Sequence, residues 1–190
     1  MTRAGLSPTV LEETAAAIAD AEGYDAVTVA AVARRLGVQP ASLYSHVPGR
    51  EGLLGRLHRR ALDDLATRLA DALAGRSGRA ALAGLATAHR TLAREHPGLW
   101  EALQRPASAS TVSSDGAARV AGLVLASLHA YDLPTDEQVH ASRLLGSIVS
   151  GLVNLERSGA LAHRAPATDD TWERSLDALH RALTTWVVGG

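Results

Sequence analysis

Apolar residues return every third or fourth position along almost the whole chain, and no stretch alternates strictly enough to form a strand. Leu11, Ala15 and Ile18 mark the buried stripe of a first helix. Ser7 is placed to cap it, Pro8 suits its first position, Glu12 and Glu13 sit early where the helix dipole favours acids, and Gly23 ends it. Thr28 caps a second helix with Val29, Val32, Ala33 and Leu36 inward, and Gly37 stops it. A short third helix is predicted over residues 40–46, then a Pro48-Gly49 turn. A long fourth helix over 50–73 carries Leu54, Leu57, Ala61, Leu65, Leu69 and Leu73 at helical spacing. Further helices are expected over 79–95, 97–103, 117–131, 134–158 and 169–187, with a mobile Ser/Ala-rich loop over 106–115 and another loop over 159–168. The last helix aligns Trp172, Leu176, Leu179, Leu183 and Trp186 on one stripe. The pattern predicts an all-α protein: a head of about three helices over residues 1–54, joined by the long fourth helix to a helical body over 55–190.

Residues 28–47 carry the most specific local pattern. Two short helices must cross closely around a tight turn. Small Ala33 permits the approach, Gly37 permits a left-handed backbone, Val38 fills the core after the turn, and Leu43 anchors the second helix. That spacing fits a helix-turn-helix, whose second helix enters the DNA major groove. An ordinary helical hairpin is the alternative reading of the same spacing.

Composition narrows the chemistry. The 190 residues include no cysteine, which excludes disulfides, thiolate zinc sites and thiol catalysis. The apolar stretch 144–153 is interrupted by Gly146, Ser147, Ser150 and Gly151 and is about half of what a membrane span needs. The start of the chain, polar and punctuated by Pro8, does not read as a signal peptide, so a soluble cytoplasmic protein is expected. All 19 basic residues are arginine. Net charge is only −1, but residues 28–60 hold Arg34, Arg35, Arg50, Arg56, Arg59 and Arg60 against Glu51 alone. A segment of charge +5 on an otherwise acidic chain is the footprint of a polyanion partner.

The run Leu36-Gly37-Val38 followed by Ser42-Leu43-Tyr44-Ser45-His46-Val47-Pro48-Gly49-Arg50-Glu51-Gly52-Leu53-Leu54 resembles the DNA-binding head of the TetR/AcrR regulators over about residues 7–54. Arg50 stands where that family usually has lysine, and Val47 where phenylalanine is commoner; either keeps the physics. The resemblance implies a homodimer on a palindromic double-stranded operator, most often a repressor released by a small-molecule effector. It implies that Thr28, Tyr44, His46 and Arg50 contact phosphates and that Gln39, Pro40, Ala41, Ser42 and Ser45 face bases. The chemistry agrees, since hydroxyls donate to phosphate oxygens, glutamine can read adenine, and alanine can meet a thymine methyl. Tyr44 also reads as a half-buried residue of a small head. Residues 93–103 and 151–159 resemble the body of a branch in which a Trp-His-Gly triplet is common; Val149-Ser150-Gly151 holds its place here.

The body is expected to enclose a pocket between helices, and His89, Trp100, Leu103, Gln104, Leu125, His129 and Ser147 are the candidate lining; Trp100 reads equally as plain core. His89 and His96 share a helix face, but no third ligand is assured, so no metal and no cofactor are expected. The predicted dimer surface combines Leu144, Ile148, Leu152 and Leu155 with Trp172, Leu176, Leu179, Leu183 and Trp186, the alternative being that these faces fill one subunit's own core. An all-helical enzyme finds no support, because neither Gly-x-Ser-x-Gly nor a P-loop occurs. A DNA-binding architectural protein without a ligand is the other alternative.

Overall fold

The computed structural model describes residues 6–186. Its helices are α1 (Pro8–Glu22), α2 (Val29–Leu36), α3 (Gly49–Leu73), α4 (Gly78–Glu95), α5 (Pro97–Leu103), α6 (Ala109–Val112), α7 (Asp115–Ser127), α8 (Thr135–Arg157) and α9 (Thr168–Thr184). Short 3-10 turns occupy Tyr24–Ala26, Pro40–Leu43 and His129–Tyr131, and no strand occurs among the described residues. The chain divides into two compact units, one of Met1–Asp64 with Leu92–Ala118 and one of Leu65–Thr91 with Arg119–Gly190.

In the first unit, local chemistry sets the helix ends. Ser7 Oγ accepts from the Val10 N–H at 3.2 Å and Pro8 takes the first position of α1. Thr28 Oγ1 accepts from the Ala31 N–H at 3.1 Å to cap α2. At the other end Gly37 has φ +67°, and the Val38 and Gly37 N–H groups donate to Ala33 O (3.0 Å) and Arg34 O (3.2 Å). That pair of bonds is the glycine-dependent helix stop that a side chain would strain. Leu11, Ala15, Ile18 and Ala19 of α1, Val32 and Ala33 of α2, and Leu43 and Val47 beyond the turn form the buried interior. Val38, expected to fill the core after the turn, is only half-buried, whereas Leu43 and Val47 are buried.

Helix α1 packs most extensively on α5. Gly98 makes this possible: a Cβ there would stand 2.3 Å from the Ala19 Cβ and 2.4 Å from its carbonyl carbon. Asp20 completes the joint. Its Oδ1 accepts from the Gly98 N–H at 2.8 Å, an acid at the N-terminus of α5, and its Oδ2 lies 3.0 Å from His96 Nδ1. Glu12 and Glu13 lie early in α1, just beyond its first turn, and Glu12 pairs with Arg56 of α3 at 3.0 Å. Residues 106–115 are not one mobile loop either. Ser108 caps the single turn α6, with its Oγ 2.9 Å from Thr111 Oγ1, and Thr111 is only 1% exposed.

In the second unit, α8 and α9 pack together. Helix α8 turns Ala141, Leu145, Val149 and Val153 inward, and α9 turns Trp172, Leu176, Leu179 and Leu183 inward. Polar groups between elements are paired. Arg90 donates Nε and Nη2 to the two Glu156 carboxylate oxygens at 2.7 and 3.1 Å, and also bonds Asp169. Trp172 Nε1 donates to Glu156 at 2.8 Å, with the Arg90 guanidinium 5.1 Å from its ring centre. Arg79 bonds both Glu173 and Asp177 of α9. The last helix stops at Thr184; Val187, to which the periodicity extended it, lies outside the described residues.

Candidate functional site

The residues between α2 and α3 form an open part of the first unit. Gln39, Pro40, Ala41, Ser42 and Ser45 are all exposed, and Tyr44 is exposed to 60%. The segment expected as a short α-helix over 40–46 is a 3-10 turn, Pro40–Leu43, continued by turns. Pro40 opens it without needing an N–H partner, and Leu43, fully buried, is the anchor that turns its neighbours outward. Five small or polar side chains, at 39–42 and 45, thus leave a low surface around one buried leucine. Tyr44 therefore departs from its alternative reading: it is not packed into the head.

The groups assigned to phosphate have internal roles as well. Thr28 is half-buried and its hydroxyl accepts the α2 cap bond, so its own proton stays available to donate. His46 is half-buried, and its carbonyl accepts from Arg56 Nη2 at 3.1 Å. Arg50 is exposed, yet its Nε donates to Val27 O at 3.1 Å and its Nη2 to Asp25 O at 3.3 Å, with the Asp25 carboxylate 3.6 Å away. Arg50 thereby fastens the strand of chain that leads into the Thr28 cap. Arg35 lies 3.6 Å from Glu22. The charge of the 28–60 segment is thus partly met inside the unit, by Glu12, Glu22 and Asp25, none of which its local sequence contains. These partners lie outside the segment in sequence and carry no local signal.

The expected pocket lining is not enclosed as a set. Trp100 is 2% exposed and belongs to the core of the first unit. Leu103 is half-buried and Gln104 exposed. In the second unit, Leu125, His129 and Ser147 are exposed, with the Ser147 hydroxyl turned back to Arg143 O at 2.8 Å. His89 Nδ1 lies 2.8 Å from Leu85 O, and burial holds its imidazole below the usual range, opposed by that carbonyl. The choice of these residues by type and central position is corrected by helix phase, which points four of them outward. A cavity of about 290 Å³ in the first unit is walled by other side chains, among them Tyr24, Leu54 and His58.

The candidate dimer faces separate. Leu144, Ile148 and Leu152 are half-buried and Leu155 is 45% exposed, on the same side of α8 as Gly151, where an added Cβ would meet nothing within 4 Å. Trp172, Leu176, Leu179 and Leu183 are instead buried inside the single chain, which corrects their assignment to an intersubunit surface: the stripe of α9 is already covered, largely by α8. Trp186 is half-buried and donates to Glu137 at 2.9 Å. Among the described residues no cluster of three or more His, Asp or Glu could hold a metal, and no helix is long and apolar enough to cross a membrane.

The comparisons agree with this architecture. Over 160 residues, 83% of this chain and 73% of the relative, the chain is 34% identical to an uncharacterized HTH-type transcriptional regulator of Mycobacterium tuberculosis. Its fold is similar to that of the Streptomyces coelicolor TetR family protein ActR, solved in complex with (S)-DNPA (TM-score 0.73, 19% identity, 97% of this chain and 100% of the other). It is also similar to a TetR variant of Acinetobacter baumannii AYE solved in complex with minocycline (TM-score 0.72, 21% identity, 97% and 99%). Residues 82–179 match the tetracyclin repressor-like C-terminal domain. Residues 11–57, which carry the capped helices and the exposed turn, match the bacterial regulatory proteins of the tetR family, and the chain belongs to that family.

Proposed function

We propose that this TetR-family transcription regulator is a ligand-responsive repressor that binds a palindromic operator as a homodimer and is not an enzyme. The observation that carries the proposal is the exposed turn at Pro40–Leu43, presented between two capped helices with Gln39, Ala41, Ser42 and Ser45 outward. In this reading those four and Pro40 meet base edges, while Thr28, Tyr44, His46 and Arg50 meet phosphates. Arg50 exchanges or shares its bonds to Val27 and Asp25 with a phosphate oxygen on binding.

The open face of α8, with Leu144, Ile148, Leu152 and Leu155 beside Ser147 and Gly151, supports pairing of two copies, since small residues let helices approach closely. Two recognition turns then address successive major grooves. Ligand response draws support from the complexes of ActR with (S)-DNPA and of the A. baumannii TetR variant with minocycline. A ligand acts here by favouring the conformation whose two recognition turns are misplaced for the operator, which requires unequal affinity for the two states. The head is taken as residues 1–54 and the body as 55–190, and the protein as cytoplasmic.

The test is selection from randomised duplexes at fixed salt, with light scattering on the same sample. A palindromic consensus bound by a dimer is expected. Selection of no consensus would favour an architectural DNA-binding protein, and a monomer bound to a single half-site would remove the dimer.

A further inference from the structure

The cavity of about 290 Å³ in the first unit lies between the first turns of α3 and the chain leading into α6. It is bounded by Tyr24, Glu51, Leu54, Gly55, His58 and Ala107, among others, and shares no residue with the pocket expected from sequence. Three observations set it apart from a packing defect.

Tyr24 and His58 are each only 7% exposed. Neither the Tyr24 hydroxyl nor the His58 imidazole has a hydrogen-bond partner among the described residues, although every fully sealed polar side-chain atom there has one. Since no sealed polar side-chain atom among the described residues lacks a partner, these two groups keep access to the open space they line and can bond a molecule seated there. Gly55 is the third observation. It sits inside α3, where alanine is the better helix former, and an added Cβ would meet only the far end of Arg59 at 3.7 Å. No packing contact demands glycine; the absent side chain leaves open space beside His58.

We propose that this cavity binds a small uncharged or cationic organic molecule that combines an apolar ring with a hydrogen-bond donor, of the phenol or benzylamine class. Leu54, Ala107 and the bare Gly55 backbone offer apolar surface to the ring. Burial holds the His58 imidazole below its usual range, so at neutral pH it is uncharged and presents one donor and one acceptor. The Tyr24 hydroxyl does the same, and the Glu51 carboxylate accepts only. Two nearby cations are engaged: Arg105 bonds Glu101 at 2.8 Å while lying over the Tyr24 ring, and Arg50 bonds Val27 and Asp25. A carboxylate ligand would meet the Glu51 carboxylate on the wall of the cavity. Volume also argues for a small molecule, because cavities for drug-sized ligands run from roughly 300 to 1,000 Å³.

The site touches the DNA-binding head directly. Tyr24 begins the 3-10 turn whose Asp25 carbonyl, with that of Val27, receives Arg50, and Glu51 is the next residue after Arg50. A molecule seated on Tyr24 and Glu51 therefore bears on the bonds that hold the approach to the Thr28 cap. Binding in the cavity stands on the geometry alone, whereas its effect on DNA rests on the regulator reading.

The experiment titrates the full chain, without DNA, with phenol, benzylamine and benzoate, following the His58 ring resonances by NMR together with Tm. Phenol or benzylamine is expected to shift His58 and raise Tm, and benzoate to do neither. Gly55→Leu, which fills the cavity from within, and His58→Leu, which removes the polar anchor, should each weaken binding about tenfold or more. Ala107→Leu repeats the filling from an exposed position should Gly55→Leu fail to fold. No response of His58 to any probe at millimolar concentration would overturn the proposal, as would undiminished binding to the filled variants. A separate operator titration with and without the bound probe reads the coupling. Wild-type protein that binds the probe but no DNA would defeat the regulator reading and leave the site standing.

Discussion

The stripe of α9 and the turn at Pro40–Leu43 look equally regular in the sequence, and they end in opposite environments. Trp172, Leu176, Leu179 and Leu183 disappear into the chain's own interior. Gln39, Ala41, Ser42, Tyr44 and Ser45 stay in solvent around the single buried anchor Leu43. The difference follows from what each segment can bury. Four large apolar side chains on one face gain most when any neighbour covers them, and α8 of the same chain is at hand. Small and polar side chains gain nothing by burial, so they remain free for a partner that offers hydrogen bonds. An apolar stripe thus identifies a face that needs covering without naming the cover, whereas an exposed polar turn held by one anchor identifies a surface kept open.

The largest test of this contrast replaces Leu179, 2% exposed, by arginine. The variant is expected not to fold, and Leu179→Ala to lose about 2–5 kcal/mol in urea unfolding. A stable, folded monomer from Leu179→Arg would return the stripe to an interface between subunits. Leu155→Arg, on the open face of α8, should leave unfolding within about 0.5 kcal/mol of wild type and yet give monomers by light scattering.

Next in size are the substitutions of the turn. Gln39→Ala should relax discrimination at one or two base pairs, costing about 1–3 kcal/mol on the preferred operator, with unfolding unchanged. Tyr44→Phe should lower affinity for every sequence alike. A new consensus with Tyr44→Phe and an old one with Gln39→Ala would exchange the two roles. Thr28→Ala tests the boundary between the regions, since the same hydroxyl caps α2; loss of about 1 kcal/mol of stability is expected alongside weaker binding.

The smallest expected effect is on pH. Burial depresses the folded-state pKa of His58 below the ordinary 6.5, so its contribution to stability is fully present above that value. As pH falls through 6.5 the unfolded chain takes up the proton first, and stability declines toward the folded pKa. His89 pulls in the same direction. Unfolding midpoints followed from neutral to acid pH should fall less steeply for His58→Leu than for wild type; parallel curves would show that His58 is not held neutral.

Helix ends were legible because their causes are local. Ser7-Pro8, Thr28 and Gly37 act on N–H and C=O groups within a turn of themselves, and each end lies where the sequence puts it. The openness of the turn after Gln39 was legible for the same reason. Long-range partners were not. Nothing near Arg50 or Arg56 announces Asp25 or Glu12, and nothing near Glu156 announces Arg90 and Trp172. Residues 106–115 misled because serine and alanine serve a capped turn as readily as a loop; only the burial of Thr111 separates them. The pocket lining failed at phase, a rotation of a few residues that decides whether Leu125 or Ser147 looks inward. Gly55 could have been noticed as a glycine inside a strong helical pattern, the one local sign of the space beside it.

The joint at Gly98 bears on how such proteins can be recombined. With Gly98 against Ala19 and Asp20 holding both the Gly98 N–H and His96, α1 cannot be parted from α5 without baring a face shaped for one glycine and orphaning a carboxylate. A chimera that grafts residues 11–57 alone onto another regulator would carry half of this joint. Specificity swaps between regulators should therefore travel as two segments, the head together with the Pro97–Leu103 helix, or change only the five outward residues of the turn and leave the graft unmade.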